Sequence, residues 1–158
     1  MEKSIQTEII IHASREKVWE VLTDFSSYAL WNPFMVKASG KLATGQRLKI
    51  QLQNGSSTMT FSPAVRSVIP GFSFSWEGRL FFKGLFDGYH FFKIIQNGSN
   101  QVKLVQGERF SGIFSRMIFH KIGASTAVNF DRMNRELKKR AEMKEIMVTN
   151  HLKITGDA

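Results

Sequence analysis

The sequence contains no cysteine and no long apolar run. Without cysteine among its 158 residues, a disulfide framework, a thiolate nucleophile and a cysteine metal site are excluded. No run approaches the roughly 18 consecutive apolar residues of a membrane-spanning helix. The first four residues, Met1-Glu2-Lys3-Ser4, do not open the apolar segment of a signal peptide. We therefore expect a cytoplasmic protein that does not span a membrane.

Tyrosine and acidic residues are scarce. Two tyrosines stand against 14 phenylalanines, so most rings lack a hydroxyl and suit an apolar core or an apolar cavity. The 13 acidic residues against 22 lysines and arginines give a formal charge of +9. The basic residues are scattered, and their densest cluster, over 132–144, is interleaved with acidic residues. This pattern is typical of a solvated face or of a weak contact with an acidic partner, and it does not predict specific nucleic-acid binding.

Motifs for metal, phosphate or nucleophile chemistry are also absent. The four histidines lie on separate predicted elements, which argues against a metal cluster: they are His12, His90, His120 and His151. There is no phosphate-binding glycine loop and no serine in a nucleophile elbow. We expect no metal and no cofactor.

The longest regular pattern is a helix predicted over residues 114–147. Its apolar positions recur at steps of three and four, the spacing of one helix face, with Thr126 at the missing place: they are Phe119, Ile122, Phe130, Met133 and Leu137. Five small residues, 123–127, interrupt the row. A glycine inside a helix costs roughly 1 kcal/mol, so Gly123 needs a reason. The alternatives are close packing on a sheet and a cavity left unfilled.

The chain before this helix alternates like short strands. Residues 4–12 form the first predicted strand, and Ser14 is the predicted N-cap of a short helix over 15–23. A second short helical turn carries Trp31 and stops at Asn32-Pro33. Asn54-Gly55 signals a hairpin turn, Pro63 marks an edge or bulge, and residues 81–86 are a predicted loop. The strands predicted between these signals cover 34–41, 47–53, 58–69 and 72–80.

The last predicted hairpin joins residues 88–95 to 101–111. With 98–100 as a three-residue loop, the apolar residues of both strands share one face, as a half-buried sheet requires. His90 then lies opposite Glu108 on that face, Phe92 opposite Gln106, and Ile94 opposite Leu104. The sequence therefore predicts an imidazole beside a carboxyl group on the inner side of the sheet.

The chain resembles the START/Bet v 1-like (SRPBCC) superfamily, and within it the bacterial polyketide cyclase/dehydrase-like branch. The match covers the chain to about residue 145. The residues that carry it are Ile11-His12-Ala13, 16–25, Tyr28, Trp31-Asn32-Pro33, Pro63, Val65, Trp76, 88–92, 108–112 and 133–138. The resemblance implies an α+β helix-grip fold, in which a seven-stranded antiparallel curved sheet wraps a long C-terminal helix and leaves a cavity. Two short helices follow the first strand. We expect one domain over 1–147 and a flexible tail over 148–158.

Three functions are open for such a domain. The first is binding or transport of a small hydrophobic molecule, lipid-like or polyketide-like; the second is a cyclase/dehydrase enzyme using His90 and Glu108. The third is a protein-interaction module of the chaperone-activator type, and the protein is expected to be a monomer or a homodimer. His90 and Glu108 have three interpretations: they satisfy each other in the core, anchor the polar end of a ligand, or act as acid and base. The candidate ligand-binding residues are Trp31, Phe61, Trp76, His90, Phe92, Glu108, Phe110, Phe114 and Ile122.

Overall fold

The computed structural model describes residues 3–80 and 83–155. The helices and strands in these ranges follow one another in the predicted order. A short 3₁₀ turn, Phe25–Ser27, precedes α2. The helices are α1 (Arg15–Thr23), α2 (Tyr28–Trp31) and α3 (Ser115–Thr155). The strands are β1 (Lys3–Ile11), β2 (Met35–Ser39), β3 (Lys49–Asn54), β4 (Ser57–Phe61), β5 (Ala64–Ile69), β6 (Ser73–Leu80), β7 (Phe86–Gln96) and β8 (Val102–Ser111).

The strands form one curved antiparallel wall in two parts. Five strands pair in the order β1-β8-β7-β6-β5, and three pair in the order β2-β3-β4. The segment before β3 joins the two parts, since Leu48 N–H donates to Pro63 O at 3.0 Å and Val65 N–H donates to Gln46 O at 2.8 Å. The predicted helix-grip class is confirmed, because this wall curls around α3.

The strand predicted over 58–69 is two strands. β4 ends at Phe61 and β5 begins at Ala64, and they belong to different parts of the wall. Pro63 has no N–H for a ladder, so the chain turns there instead of continuing one strand. The described residues therefore contain eight strands where seven were predicted.

Local signals set the two short helices. Ser14 Oγ accepts from the backbone N–H of Lys17 at 3.1 Å, so the predicted cap is formed without a capping box. Burial raises the pKa of Tyr28, and its hydroxyl donates to Leu22 O at 2.5 Å. Asn32 Oδ1 accepts from the N–H groups of the next two non-proline residues at 3.0 and 2.9 Å, which ends α2 and starts β2.

Helix α3 closes the wall with the predicted face. Phe130, Met133 and Leu137 are fully buried, whereas Phe119 and Ile122 in its first half are only half-buried. Its second half is fixed to β1 by polar contacts, including Lys138 Nζ to Ile10 O at 2.7 Å and Asn134 Nδ2 to Thr7 Oγ1 at 3.0 Å. The sheet thus grips the second half of the helix more tightly than the first.

Two predictions concern the C-terminal segment and the segment around residues 81 and 82. Helical backbone continues to Thr155, beyond the predicted end at 147. The domain limits of 1–147 and the flexibility of 148–158 stay predictions, and residues 156–158 lie outside the described part. The loop expected over 81–86 also falls partly outside it, at residues 81 and 82, while Phe86 already begins β7. Across the described residues, no helix is both long enough and apolar enough to cross a membrane.

Candidate functional site, an apolar cavity with a carboxylate

A cavity of about 120 Å³ lies between the inner face of the wall and the first half of α3. It opens beside the β3–β4 hairpin, where α3 is least deeply packed. The side of the cavity that includes its mouth is lined by Phe34, Leu52, Met59, Phe61, Ile122 and Thr126. An engineered cavity of about 150 Å³ binds benzene, so this space approaches the size of one aromatic ring.

Two glycines form the floor of the cavity. Gly78 on β6 pairs with Gly88 on β7, and both lie in regular strand on the inner face. A Cβ at position 78 would lie 3.2 Å from the Phe61 ring, and one at position 88 would lie 2.5 Å from Glu108 Oε1. These glycines therefore make room for the Phe61 ring and the Glu108 side chain, and neither adopts a positive φ. The residues around them are Trp76, Phe86, Glu108 and Phe110.

Two of the small residues of α3, Gly123 and Thr126, have different surroundings. A Cβ on Gly123 would lie 3.3 Å from the Phe119 ring of the same helix, so this buried glycine makes room for a neighbouring side chain. Thr126 lines the cavity, and its hydroxyl donates within the helix, to Ile122 O at 2.9 Å. Gly123 is therefore explained by a side chain of its own helix and not by close packing on the sheet, whereas Thr126 borders the open space.

The predicted register of the β7–β8 hairpin is confirmed. His90 pairs with Glu108, Phe92 with Gln106, and Ile94 with Leu104. The two titratable side chains differ in position: Glu108 lines the cavity, whereas His90, 3% exposed, lies behind it. The imidazole stacks on Trp76 at 4.8 Å between ring centroids and meets the edge of Phe130 at 5.1 Å.

The imidazole and the carboxylate are close without a direct hydrogen bond. His90 Nδ1 lies 3.7 Å from Glu108 Oε2, beyond hydrogen-bond distance. On the other side of the ring, Gln106 Nε2 lies 3.4 Å from His90 Nε2. An amide N–H donates, so this contact favours the tautomer that carries its proton on Nδ1, towards Glu108. The carboxylate thus faces the cavity with a polarisable N–H group behind it.

The nine predicted ligand-binding residues fall into three groups. Five surround the cavity: Phe61, Trp76, Glu108, Phe110 and Ile122. His90 and Phe92 pack in the core behind its floor. The other two lie elsewhere, since Trp31 packs on Tyr28 and donates to Ser27 Oγ at 3.3 Å, and Phe114 is 44% exposed.

Sequence reasoning missed most of the mouth and the floor. The glycines had a usable signal, because glycine within a strand often marks a close approach by another group. Arg79 had no such signal, and it lies at the rim with Nε 3.9 Å from Asp87 Oδ1. Asp87 is buried, and among the described residues Oδ1 has no hydrogen-bond partner, so Arg79 supplies its nearest positive charge.

Solved structures with the same fold have low sequence identity to this chain. The Zhui aromatase/cyclase from Streptomyces sp. R1128 superposes with a TM-score of 0.73 at 15% identity, over 90% of this chain and 94% of that one. A START superfamily protein from Mycobacterium smegmatis gives 0.67 at 18% identity, over 89% and 97%. Norcoclaurine synthase from Thalictrum flavum gives 0.69 at 12%, over 92% and 97%. At such identities these similarities show the fold alone.

The family assignment comes from the sequence itself. No curated protein matches this chain. The family described as polyketide cyclase / dehydrase and lipid transport matches residues 2–142, which include β1, the cavity and most of the described part of α3. The chain therefore belongs to the polyketide cyclase/dehydrase and lipid transport family.

Proposed function

We propose that this protein binds a small hydrophobic molecule, one ring or a short chain in width, with a hydroxyl or similar donor directed at Glu108. The observation that supports this most strongly is the cavity itself, which is mostly apolar and has one carboxylate reaching it. Small-molecule sites usually combine apolar walls with a few polar groups that fix orientation. The family description includes lipid transport, which agrees with a hydrophobic ligand.

The Glu108 carboxylate determines which polar group the ligand should carry. Among the described residues, no hydrogen bond reaches the Glu108 side chain, and its nearest ionisable neighbour is His90. A charged acceptor beside an apolar space favours a ligand that donates to it, because a hydrogen bond to a charged group contributes about 1.5–3 kcal/mol. A ligand lacking a donor leaves this carboxylate desolvated and unpaired.

Two small probes of nearly equal shape test this. p-Cresol and p-xylene differ by a hydroxyl in place of a methyl group, and both are one ring wide. We expect each to shift the backbone amide resonances of Gly78 and Gly88 in an NMR titration, with p-cresol binding more tightly. Glu108→Gln keeps the shape of the side chain and removes its charge, so it should weaken p-cresol about fivefold to tenfold more than p-xylene.

Glu136→Gln is the matched control, because it removes a carboxylate from the outer side of α3, where Glu136 pairs with Lys139. Both probes should bind this variant as they bind the wild type. Resonance shifts that spread over the surface and spare the two glycines would contradict the proposal. So would the absence of any shift up to the solubility limit of the probes.

An enzymatic role is the second candidate, and the pairing of Glu108 with a buried imidazole favours it. A carboxylate facing an apolar space, with His90 Nδ1 at 3.7 Å behind it, is placed to remove a proton from a bound carbonyl compound. The test is exchange of the α-hydrogens of 2-tetralone for deuterium in D₂O, followed by NMR. Catalysis is supported if the wild type accelerates the exchange and if Glu108→Gln and His90→Ala, with folding intact, do not. Exchange at the buffer rate in all three proteins argues against catalysis.

A further inference from the structure

The wall has an opening beside the cavity where one strand ends early. β5 pairs with β6 from Ile69 opposite Ser73 to Ala64 opposite Glu77, and the pairing stops there. Gly78 and Arg79 continue β6 beyond that point, paired with β7 on their other side. The Phe61 ring covers the inner face of β6 at this position, since it lies 3.2 Å from a Cβ placed on Gly78. Among the described residues, the edge of β6 beyond Glu77 therefore has no strand paired with it on the β5 side, and an aromatic side chain lies over it.

The outer face of this opening is a basic groove of about 520 Å³. Its cationic side chains are Arg47, Arg66, Arg79 and Lys83. Two carboxylates accompany them: Glu77, which pairs with Arg66, and Asp87, which lies beside Arg79. Four positive charges against two negative ones leave a surplus of two in the groove.

Arg79 connects the groove to the cavity. Within the described residues it is the side chain common to both linings. Its guanidinium lies 3.9 Å from Glu77 Oε2 and 3.9 Å from Asp87 Oδ1, which are ion-pair distances but not hydrogen bonds. Among the described residues, no acceptor lies within hydrogen-bond distance of this guanidinium, so its N–H groups can bind a planar or tetrahedral anion.

We propose that the ligand of this cavity is an amphipathic anion, whose apolar part lies in the cavity with its hydroxyl at Glu108 and whose carboxylate or phosphate passes the Phe61 ring to reach Arg79 in the basic groove. This inference rests on the proposed function and names the ligand class. The charges inside and outside the cavity determine the orientation of the ligand. Glu108 inside the cavity repels an anion, and the groove outside attracts one. The charged end therefore points outward through the gap left by β5.

Three probes with the same eight-carbon chain and a hydroxyl at one end test the proposal: 8-hydroxyoctanoate, 8-hydroxyoctyl phosphate and 1,8-octanediol. Dissociation constants come from NMR titrations of the wild-type protein, Arg79→Gln and Arg47→Gln at neutral pH and low salt. We expect 8-hydroxyoctanoate or 8-hydroxyoctyl phosphate to bind at least about fivefold more tightly than octanediol, and Arg79→Gln to remove most of this preference. Arg47→Gln should reduce it to a smaller extent, because Arg47 lies in the groove but outside the cavity. The anion that shows the larger preference identifies the head group as carboxylate or phosphate.

Arg116→Gln is the matched control, because it removes the same charge from an exposed position in the first turn of α3, outside the groove. It should leave the ratio of anion to alcohol affinity unchanged. An equal loss of preference in Arg116→Gln would overturn the inference, since net charge and not the groove would then be responsible. Equal binding of octanediol and both anions would overturn it while leaving the proposed function in place. Binding of none of the three would count against both.

Discussion

Filling the cavity from α3 tests whether it is a site or a packing defect. Thr126→Leu adds one heavy atom and removes a hydroxyl whose hydrogen bond stays within the helix. The adjacent Ser125→Leu is a close control, because the Ser125 hydroxyl donates to the same Ile122 carbonyl at 2.9 Å but is exposed. Both variants gain a few tenths of a kcal/mol in helix propensity, about 0.3–0.5. The difference between them therefore isolates the filling of the cavity.

The expected gain in stability follows from the volume. An unfilled cavity costs about 24 cal/mol per Å³, so a cavity of 120 Å³ costs at most about 3 kcal/mol, with its opening to solvent lowering that figure. One added carbon recovers about 0.8 kcal/mol. For a chain of this size we expect Thr126→Leu to melt about 2–4 °C above Ser125→Leu.

Ligand binding should change in the opposite direction. At ten times its dissociation constant, p-cresol stabilises the native state by about 1.4 kcal/mol. If Thr126→Leu weakens binding tenfold, the same concentration contributes only about 0.4 kcal/mol. Differential scanning fluorimetry with and without p-cresol measures both effects. A stabilised Thr126→Leu protein that responds to p-cresol as fully as wild type would refute binding in this cavity, and one that melts below Ser125→Leu would refute an empty space beside Thr126.

Three further predictions concern the frame around the site. Burial acts to raise the pKa of Glu142, but hydrogen bonds, first that from Lys138, lower it below its ordinary value. The stability lost in Glu142→Gln should therefore be largest at neutral pH and should vanish as the pH falls through the lowered pKa. Urea unfolding at about pH 7 and at about pH 3 measures this difference. Tyr28→Phe removes the donor to Leu22 O and should cost about 1–2 kcal/mol in the same assay, and an unchanged midpoint would argue against that bond. Gly107→Ala would place a Cβ against an aromatic ring of β7 and 3.1 Å from a β1 carbonyl. We therefore expect the free energy of unfolding to fall by about 1–3 kcal/mol, and a neutral effect would contradict the close packing.

Features with a local cause were predictable from the sequence. The cap at Ser14 and the α1 limits depend on a few adjacent residues, and both were predicted correctly. The register that faces His90 with Glu108 depends only on a short loop and on two alternating strands. The buried face of α3 follows from its own period.

Features that depend on distant partners were not predictable in the same way. Pro63 signalled an irregular strand, but only the surrounding sheet shows that β4 and β5 lie in different parts of the wall. The position of Arg79 at the rim depends on where β5 stops, and no pattern within β6 reports that. Trp31 was named as a candidate ligand-binding residue, and its packing on Tyr28 depends on how α2 is positioned, which its own segment does not report.

The paired glycines under the cavity affect how this site can adapt to different molecules. Peptide groups cannot change rotamer, so Gly78 and Gly88 give their part of the lining a fixed shape. Adjustment to ligand shape must come from the opposite side, where Leu52 and the flexible thioether of Met59 lie. A larger guest must therefore displace side chains on the hairpin side, while the backbone at the two glycines keeps its position.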